Sequence, residues 1–291
     1  MYSLTKPLAA TKKLHKKITS EVCRQLNATL IRPLGAGAFK EAYLIEREGA
    51  EFALKIALVT GELRSRFERE ITALRECEHS AIAKIIASTP VVYSGAEYWV
   101  IVEEYLPCGT LAELVANGSI SVDAIRSIGI TLAGALEHLS ARSFVHRDIK
   151  PANILFRTPI EPVLTDFGIV RILDEKSLTQ DFMLQGPGTP RYAAPEQLLN
   201  EKSAIDWRTD QFGLALVLSE LVLGHHAFST SSVEQPREAV IAVAKRESLP
   251  EVTKNRLSSS GFSCLVKALS PWPVQRYRRP ADFILALSQG N

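Results

Sequence analysis

Residues 144–168 constrain this chain more than any other stretch. They read Phe-Val-His-Arg-Asp-Ile-Lys-Pro-Ala-Asn-Ile-Leu-Phe and then, after a short interval, Leu-Thr-Asp-Phe-Gly. The polar residues keep fixed intervals: Lys150 follows Asp148 by two, Asn153 follows it by five, and Asp166 follows Asn153 by thirteen. Asp148 can orient an attacking hydroxyl and take its proton. Asn153 offers a metal-binding amide from the same loop. Val163-Leu164 reads as a short strand that delivers Asp166, a second hard oxygen ligand. Two carboxylates, one amide and a lysine suit chemistry on a substrate with concentrated negative charge, phosphoryl transfer foremost.

Bulk properties narrow the field. The chain has 291 residues, 46% of them hydrophobic, enough for a large core in one domain with two lobes. A net charge of +2 points to no general nucleic-acid or membrane-surface partner. Cys23, Cys77, Cys108 and Cys264 form no CxxC pair, so neither a disulfide framework nor a zinc site is expected. They fit a reducing cytosol, and a cytoplasmic location is the expectation. No signal peptide is visible. The most apolar run, Phe212 to Gly224, is short and carries Glu220, so it reads as a buried helix and not a membrane span. There are no internal repeats or low-complexity blocks.

Residues 144–168 resemble the catalytic loop and metal loop of the eukaryotic-like (Hanks-type) protein kinases. The resemblance runs over roughly residues 30–287. It implies an α+β, bilobal fold: a small N-terminal lobe with an antiparallel sheet and one key helix, and a larger, mainly helical C-terminal lobe. The expected divisions are an N-terminal extension at 1–28, the small lobe at 29–106 and the large lobe at 107–291. It also implies ATP, Mg²⁺ (with Mn²⁺ as a substitute) and a protein substrate. An anchor of a receptor-like kinase would lie outside this chain.

In the small lobe, Gly35-Ala36-Gly37-Ala38-Phe39 sits in the turn of a hairpin, where glycines let backbone N–H groups approach phosphates. Glu51 to Lys55 alternates and puts Lys55 on the same face as Ala53. This is similar to the family's glycine-rich loop and strand lysine, with Lys40 in place of the third glycine and Ala42 where valine usually covers adenine. Residues 62–76 read as a helix with Leu63, Phe67, Ile71 and Leu74 as its buried stripe. By resemblance Glu70 on that helix pairs with Lys55. Ile82 to Ile86 and Tyr98 to Tyr105 read as a strand pair. Glu104, Tyr105 and Leu106 match the hinge that binds adenine. Glu103 then falls at the gatekeeper position, where a carboxylate is costly to bury unless protonated or paired. Three placements stay open: facing the pocket unpaired, where burial favours its neutral form; reaching Lys55, in competition with Glu70 and holding an inactive state; or turning into the lobe's interior beside a different donor.

In the large lobe, Ile125, Ile128, Leu132, Leu136 and Leu139 make a long helical stripe. His146 is read as structural. Arg147 has two readings, a backbone pairing or the receiver of an activation-loop phosphate. In that loop Ser177 and Thr179 are the candidate phosphorylation sites. By resemblance Thr189 bonds Asp148 and Lys150. Lys150 together with Gly188-Thr189-Pro190 is the serine/threonine pattern, and Pro195-Glu196-Gln197 looks like the bacterial branch. Asp210 reads as a helix cap and, by resemblance, also as an anchor for the catalytic loop. Arg276 matches the late arginine that pairs with Glu196.

Two further features precede the kinase-like region. Lys12, Lys13, Lys16 and Lys17 form a basic cluster, read as a solvated face or arm, or as a contact for phosphate or an acidic partner. Ile18, Val22 and Leu26 recur every four residues and suggest a short amphipathic helix packed on the first lobe. The implied activity is ATP-dependent phosphorylation of serine or threonine, including the chain's own. The alternatives are a pseudokinase that only binds nucleotide or a partner, a small-molecule kinase, and a tyrosine or dual-specificity kinase. The intact Lys55, Asp148 and Asp166, the Ala194-Pro195-Glu196 shelf and Lys150 disfavour them in that order.

Overall fold

The computed structural model describes residues 8–36, 40–58, 64–167, 190–229 and 236–290. Its backbone falls into two compact units, one comprising Met1–Glu78 and Ala83–Tyr105, the other His79–Ile82 and Leu106–Asn291.

The first unit is an antiparallel sheet flanked by helices. Its strands are β1 (Thr29–Ala36), β2 (Lys40–Arg47), β3 (Ala50–Leu58), β4 (Ile85–Tyr93) and β5 (Ala96–Glu104), in the order β1-β2-β3-β5-β4. Proline falls only on the two edge strands, Pro33 in β1 beside a register shift and Pro90 in β4, where a missing ladder donor costs little. The strand read at 82–86 is corrected: β4 starts at Ile85 and runs on to Tyr93. Ser94 (φ 50°) and Gly95 (φ 77°) close its hairpin, a left-handed pair that matches the twist of the flanking strands. The bounds were misplaced because β4, as an edge strand, has few buried positions to show alternation. Ile82 instead bridges Leu164 within the second unit.

The sheet has two unlike faces. On one, Tyr43, Ile45, Leu54, Ile56, Tyr98, Val100 and Val102 pack with Ile18, Val22 and Cys23 of helix α1 (Leu8–Gln25). The i, i+4 apolar positions of the extension are therefore part of the core, with Leu26 half-buried beside them. Lys17 is exposed, and the other lysines of the basic cluster have side chains outside the described residues. The other face carries Ala53, Lys55, Ala57, Trp99, Ile101 and Glu103, by strand alternation. Helix α2 (Arg64–Arg75) meets it through Phe67, whose ring centroid is 5.1 Å from that of Trp99.

The second unit is mainly helical. Helix α3 (Leu111–Asn117) opens with a reciprocal cap between Thr110 and Glu113, and α4 (Val122–Ser140) with Ser121 accepting from the Ala124 N–H. The stripe of Ile125, Ile128, Leu132, Leu136 and Leu139 is buried along α4. A two-stranded hairpin, β6 (Ile154–Phe156) and β7 (Pro162–Leu164), follows, then α5 (Pro195–Leu198) and α6 (Trp207–Leu223). Helix α6 is buried nearly all round and packs on α4. Gly213 in α6 lies against the loop before β6: a Cβ there would come 3.3 Å from the Ile149 Cβ and 3.4 Å from the Tyr192 carbonyl oxygen. Helices α7 (Pro236–Ala244), α8 (Glu251–Ser259), α9 (Ser263–Ala268) and α10 (Pro280–Gln289) complete the unit. Among the described residues no helix is long and apolar enough to cross a membrane.

His226 links stability to pH. It is almost fully buried. Its Nδ1 accepts from the Phe228 N–H at 3.2 Å, so Nε2 carries the proton that faces the Arg191 carbonyl at 3.0 Å. Burial pushes its pKa down to about 4, against the Arg191 carbonyl bond, which favours the cation. The folded value is depressed below the ordinary 6.5, so the unfolded state binds more protons between the two. This contribution is full above about pH 6.5 and is lost as pH falls towards about 4, by roughly 2–3 kcal/mol in total. Urea unfolding across that interval should show a shallower pH slope for His226→Gln than for wild type. Equal slopes would show that His226 is not the group responsible.

Candidate active site

The β6–β7 hairpin gathers the chemistry of residues 144–168. Ile154 pairs with Leu164, so Asn153, just before β6, and Asp166, two residues after β7, lie at the same end. The Thr165 N–H donates to the Asn153 carbonyl at 3.0 Å and closes that end. Asn153 is buried and its Nδ2 donates to the Asp148 carbonyl and to Asp148 Oδ2, each at 2.8 Å. Lys150 Nζ meets the same Oδ2 at 2.8 Å. Side-chain exposures of 32% for Asp148 and 38% for Lys150 leave this carboxylate held yet open to solvent. Asp166 has φ 62°, a left-handed conformation that aspartate tolerates better than most non-glycine residues.

The loop backbone is pinned from α6 and α5. Asp210 Oδ2 accepts from the His146 N–H at 2.6 Å and Oδ1 from the Arg147 N–H at 2.7 Å. The cap reading of Asp210 is corrected. Asp206 caps α6 by accepting from the Arg208 N–H, and Asp210 lies one turn in, with its carboxylate turned to the loop. His146 is fully buried; its Nε2 lies 3.1 Å from the Thr165 carbonyl, its Nδ1 accepts from the Asp148 N–H at 3.3 Å, and its ring packs 4.8 Å from that of Phe167. One imidazole thus ties the loop of Asp148 to the segment of Asp166. Arg147, at φ 66°, also has its carbonyl held by Gln197 Nε2 at 2.9 Å. Sequence reasoning missed that role of Gln197, which it read only within the Pro195-Glu196-Gln197 signature.

Glu196 and Arg276 form a pair with no side-chain exposure, 2.7 and 3.0 Å across two parallel bonds. Thr209 Oγ1 adds a third donor to Glu196 at 2.8 Å, another contact the sequence did not suggest. Burial lowers the Arg276 pKa, and the bonds to Glu196 oppose that.

In the first unit, Lys55 is buried and forms an ion pair with Glu103 on the adjacent strand. Ala42 lies across from Lys55 and from Gly35 on the two sides of β2, and Ala53 lies opposite Glu103. The Glu104 N–H donates to the Lys84 carbonyl, and Glu104 Oε1 accepts from the Lys84 N–H, both at 2.9 Å. Leu106 is buried within the second unit. Gly37, Phe39, Ser177, Thr179 and Thr189 lie outside the described residues, as do the side chains of Ala36 and Glu70.

The donor set suits a hard divalent cation. With Nδ2 committed to Asp148, the Asn153 amide has Oδ1 to offer, at the same end of the hairpin as Asp166. Among the described residues no cluster of three or more His, Cys, Asp or Glu side chains could cage a metal. One carboxylate and one amide leave coordination positions for phosphate oxygens and water, which is how Mg²⁺ is usually held.

Comparison with known proteins agrees with this chemistry. A family model described as the protein kinase domain matches residues 28–281. Serine/threonine-protein kinase PknF of Mycobacterium tuberculosis is 32% identical over 279 residues, covering 89% of this chain and 55% of the relative. A probable serine/threonine-protein kinase of Clostridium perfringens is 28% identical over 225 residues, 77% of this chain and 31% of the relative. Serine/threonine-protein kinase shk1/pak1 of Schizosaccharomyces pombe is 28% identical over 263 residues, 88% of this chain and 38% of the relative. The chain therefore spans about half the length, or less, of these curated relatives.

Proposed function

Since the chain belongs to the protein kinase domain family, we propose that it transfers the γ-phosphoryl group of ATP to serine or threonine hydroxyls of a protein substrate, its own included. One observation carries the reading: the Asp148 carboxylate is held by Lys150 and Asn153 while staying accessible. A hydroxyl brought to Asp148 is oriented for attack and passes its proton to the carboxylate as the new bond forms. Lys150, two residues on and already at that carboxylate, steadies negative charge on the transferred group. It also supports serine/threonine over tyrosine specificity, as does the likeness to serine/threonine-protein kinases. Lys55 serves the α and β phosphates as a point charge. Asn153 and Asp166 would hold Mg²⁺ or Mn²⁺, which when bound neutralises charge on the phosphates. The cytoplasm, where ATP is plentiful, is the location this activity asks for.

The test is incubation of the purified chain with labelled ATP, with Mg²⁺ or with chelator, alone and with candidate protein substrates. Phosphate on serine or threonine, absent in chelator, is the expected result. Nucleotide binding without transfer would make the chain a pseudokinase. Phosphotyrosine alone would overturn the serine/threonine assignment.

A further inference from the structure

A buried partner of Lys55 is a carboxylate on its own sheet. β3 and β5 pair without interruption from Phe52↔Glu104 to Leu58↔Tyr98, which puts Ala53 opposite Glu103 and Lys55 opposite Ile101. Lys55 and Glu103 are thus diagonal neighbours on one face, within reach of long side chains. Their side-chain exposures are 11% and 8%, so both charges are largely removed from water. A buried lysine needs a counter-ion, and a buried glutamate needs a donor. Here each meets that need in the other.

We propose that Glu103 is a positioning residue that fixes the Lys55 ammonium from within the sheet, so that its placement does not depend on α2 alone. The proposal rests on the kinase reading for its consequence, since the ammonium so placed is the one assigned to the phosphates. In protein kinases the strand lysine is commonly controlled by a glutamate on a helix, and movement of that helix gates activity. A helix can swing; two neighbouring strands in continuous register cannot separate these residues without breaking the ladder. An ammonium has three N–H donors, and the bond to Glu103 takes one of them. The pair therefore acts as preorganisation of the cation, present before nucleotide arrives.

Two measurements test this, using the whole chain. The first needs no catalysis: acylation of Lys55 by a soluble amine-reactive ester, mapped by mass spectrometry without nucleotide. Glu103→Gln keeps the size and loses the charge, and should raise the Lys55 labelling rate about tenfold or more as the ammonium loses its counter-ion. Glu70→Gln should raise it less. The second is steady-state kinetics on folded variants, matched by circular dichroism. Glu103→Gln should lower kcat/KM for ATP about 100-fold, the usual consequence of a misplaced catalytic group, and Glu70→Gln should lower it less. Unchanged labelling in Glu103→Gln overturns the proposal, and so does a variant faster than wild type, which would make the pair a brake. If wild type transfers no phosphate while Glu103 still governs labelling, the positioning role stands and the kinase reading falls.

Discussion

Asp148→Asn should abolish nearly all phosphoryl transfer and leave nucleotide affinity at the wild-type level. The substitution preserves side-chain shape, so the Lys150 and Asn153 contacts keep one oxygen to meet. What it removes is the group able to accept a proton. Loss of a positioned base costs about 10²–10⁴-fold in rate, and the expectation here is about a thousandfold on kcat. Affinity should hold because Asp148 is not among the residues assigned to adenine or the metal. Asp166→Ala is the contrast: it deletes a carboxylate ligand and should weaken Mg²⁺-dependent nucleotide binding as well. Calorimetry with and without Mg²⁺, beside single-turnover transfer, separates the two roles. Wild-type transfer by Asp148→Asn would remove Asp148 as the base and the mechanism with it.

Which parts of this site were legible in the sequence follows from the distance over which each contact acts. Asp148, Lys150 and Asn153 lie within six residues, and their mutual bonds are made inside one loop. Spacing alone was enough to bring them together, and the short run before Asp166 supplied the returning strand. Asp210 is more than sixty residues from His146 and Arg147, and nothing local ties it to them. Only family likeness pointed from it to the loop, while its local signal, the cap, belonged to Asp206. Gln197 was read only as part of a family signature and Thr209 went unread, although one holds the loop carbonyl and the other serves Glu196.

Glu103 shows the limit most sharply. Alternation indicates that a residue shares a face with others on its strand, but not what stands beside it on the next strand. That needs register, which two hairpins and a bulged edge strand set together. The sequence therefore exposed the cost of the buried carboxylate and left Lys55 as one of several candidate partners; the sheet register selects it. The N-terminal helix was easier. Ile18 and Val22 are spaced by one helical turn, and burying them covers the sheet face opposite Lys55.

Arg276→Ala should be the most destabilising single change in the second unit. The guanidinium has no exposed side-chain area, and its donors reach Glu196 twice, the Arg208 carbonyl at 2.9 Å, the Ser270 carbonyl at 2.9 Å and the Pro271 carbonyl at 3.3 Å. It also lies over the Phe212 ring, 4.6 Å from the centroid. Truncation leaves Glu196 buried, with Thr209 as its remaining side-chain donor of known geometry. Breaking one side of a buried pair costs about 3–5 kcal/mol, because the desolvated charge left behind has lost its compensation. For a chain of this size that corresponds to a fall in melting temperature of about 10 °C. Removing both charges is expected to cost less than removing one: Glu196→Gln combined with Arg276→Met leaves no lone ion in the interior. A double-mutant cycle by thermal unfolding reads the difference as coupling between the two sites. Additive single effects, or an Arg276→Ala variant that melts within about 2 °C of wild type, would show that this pair does not hold α5 to the segment before α10.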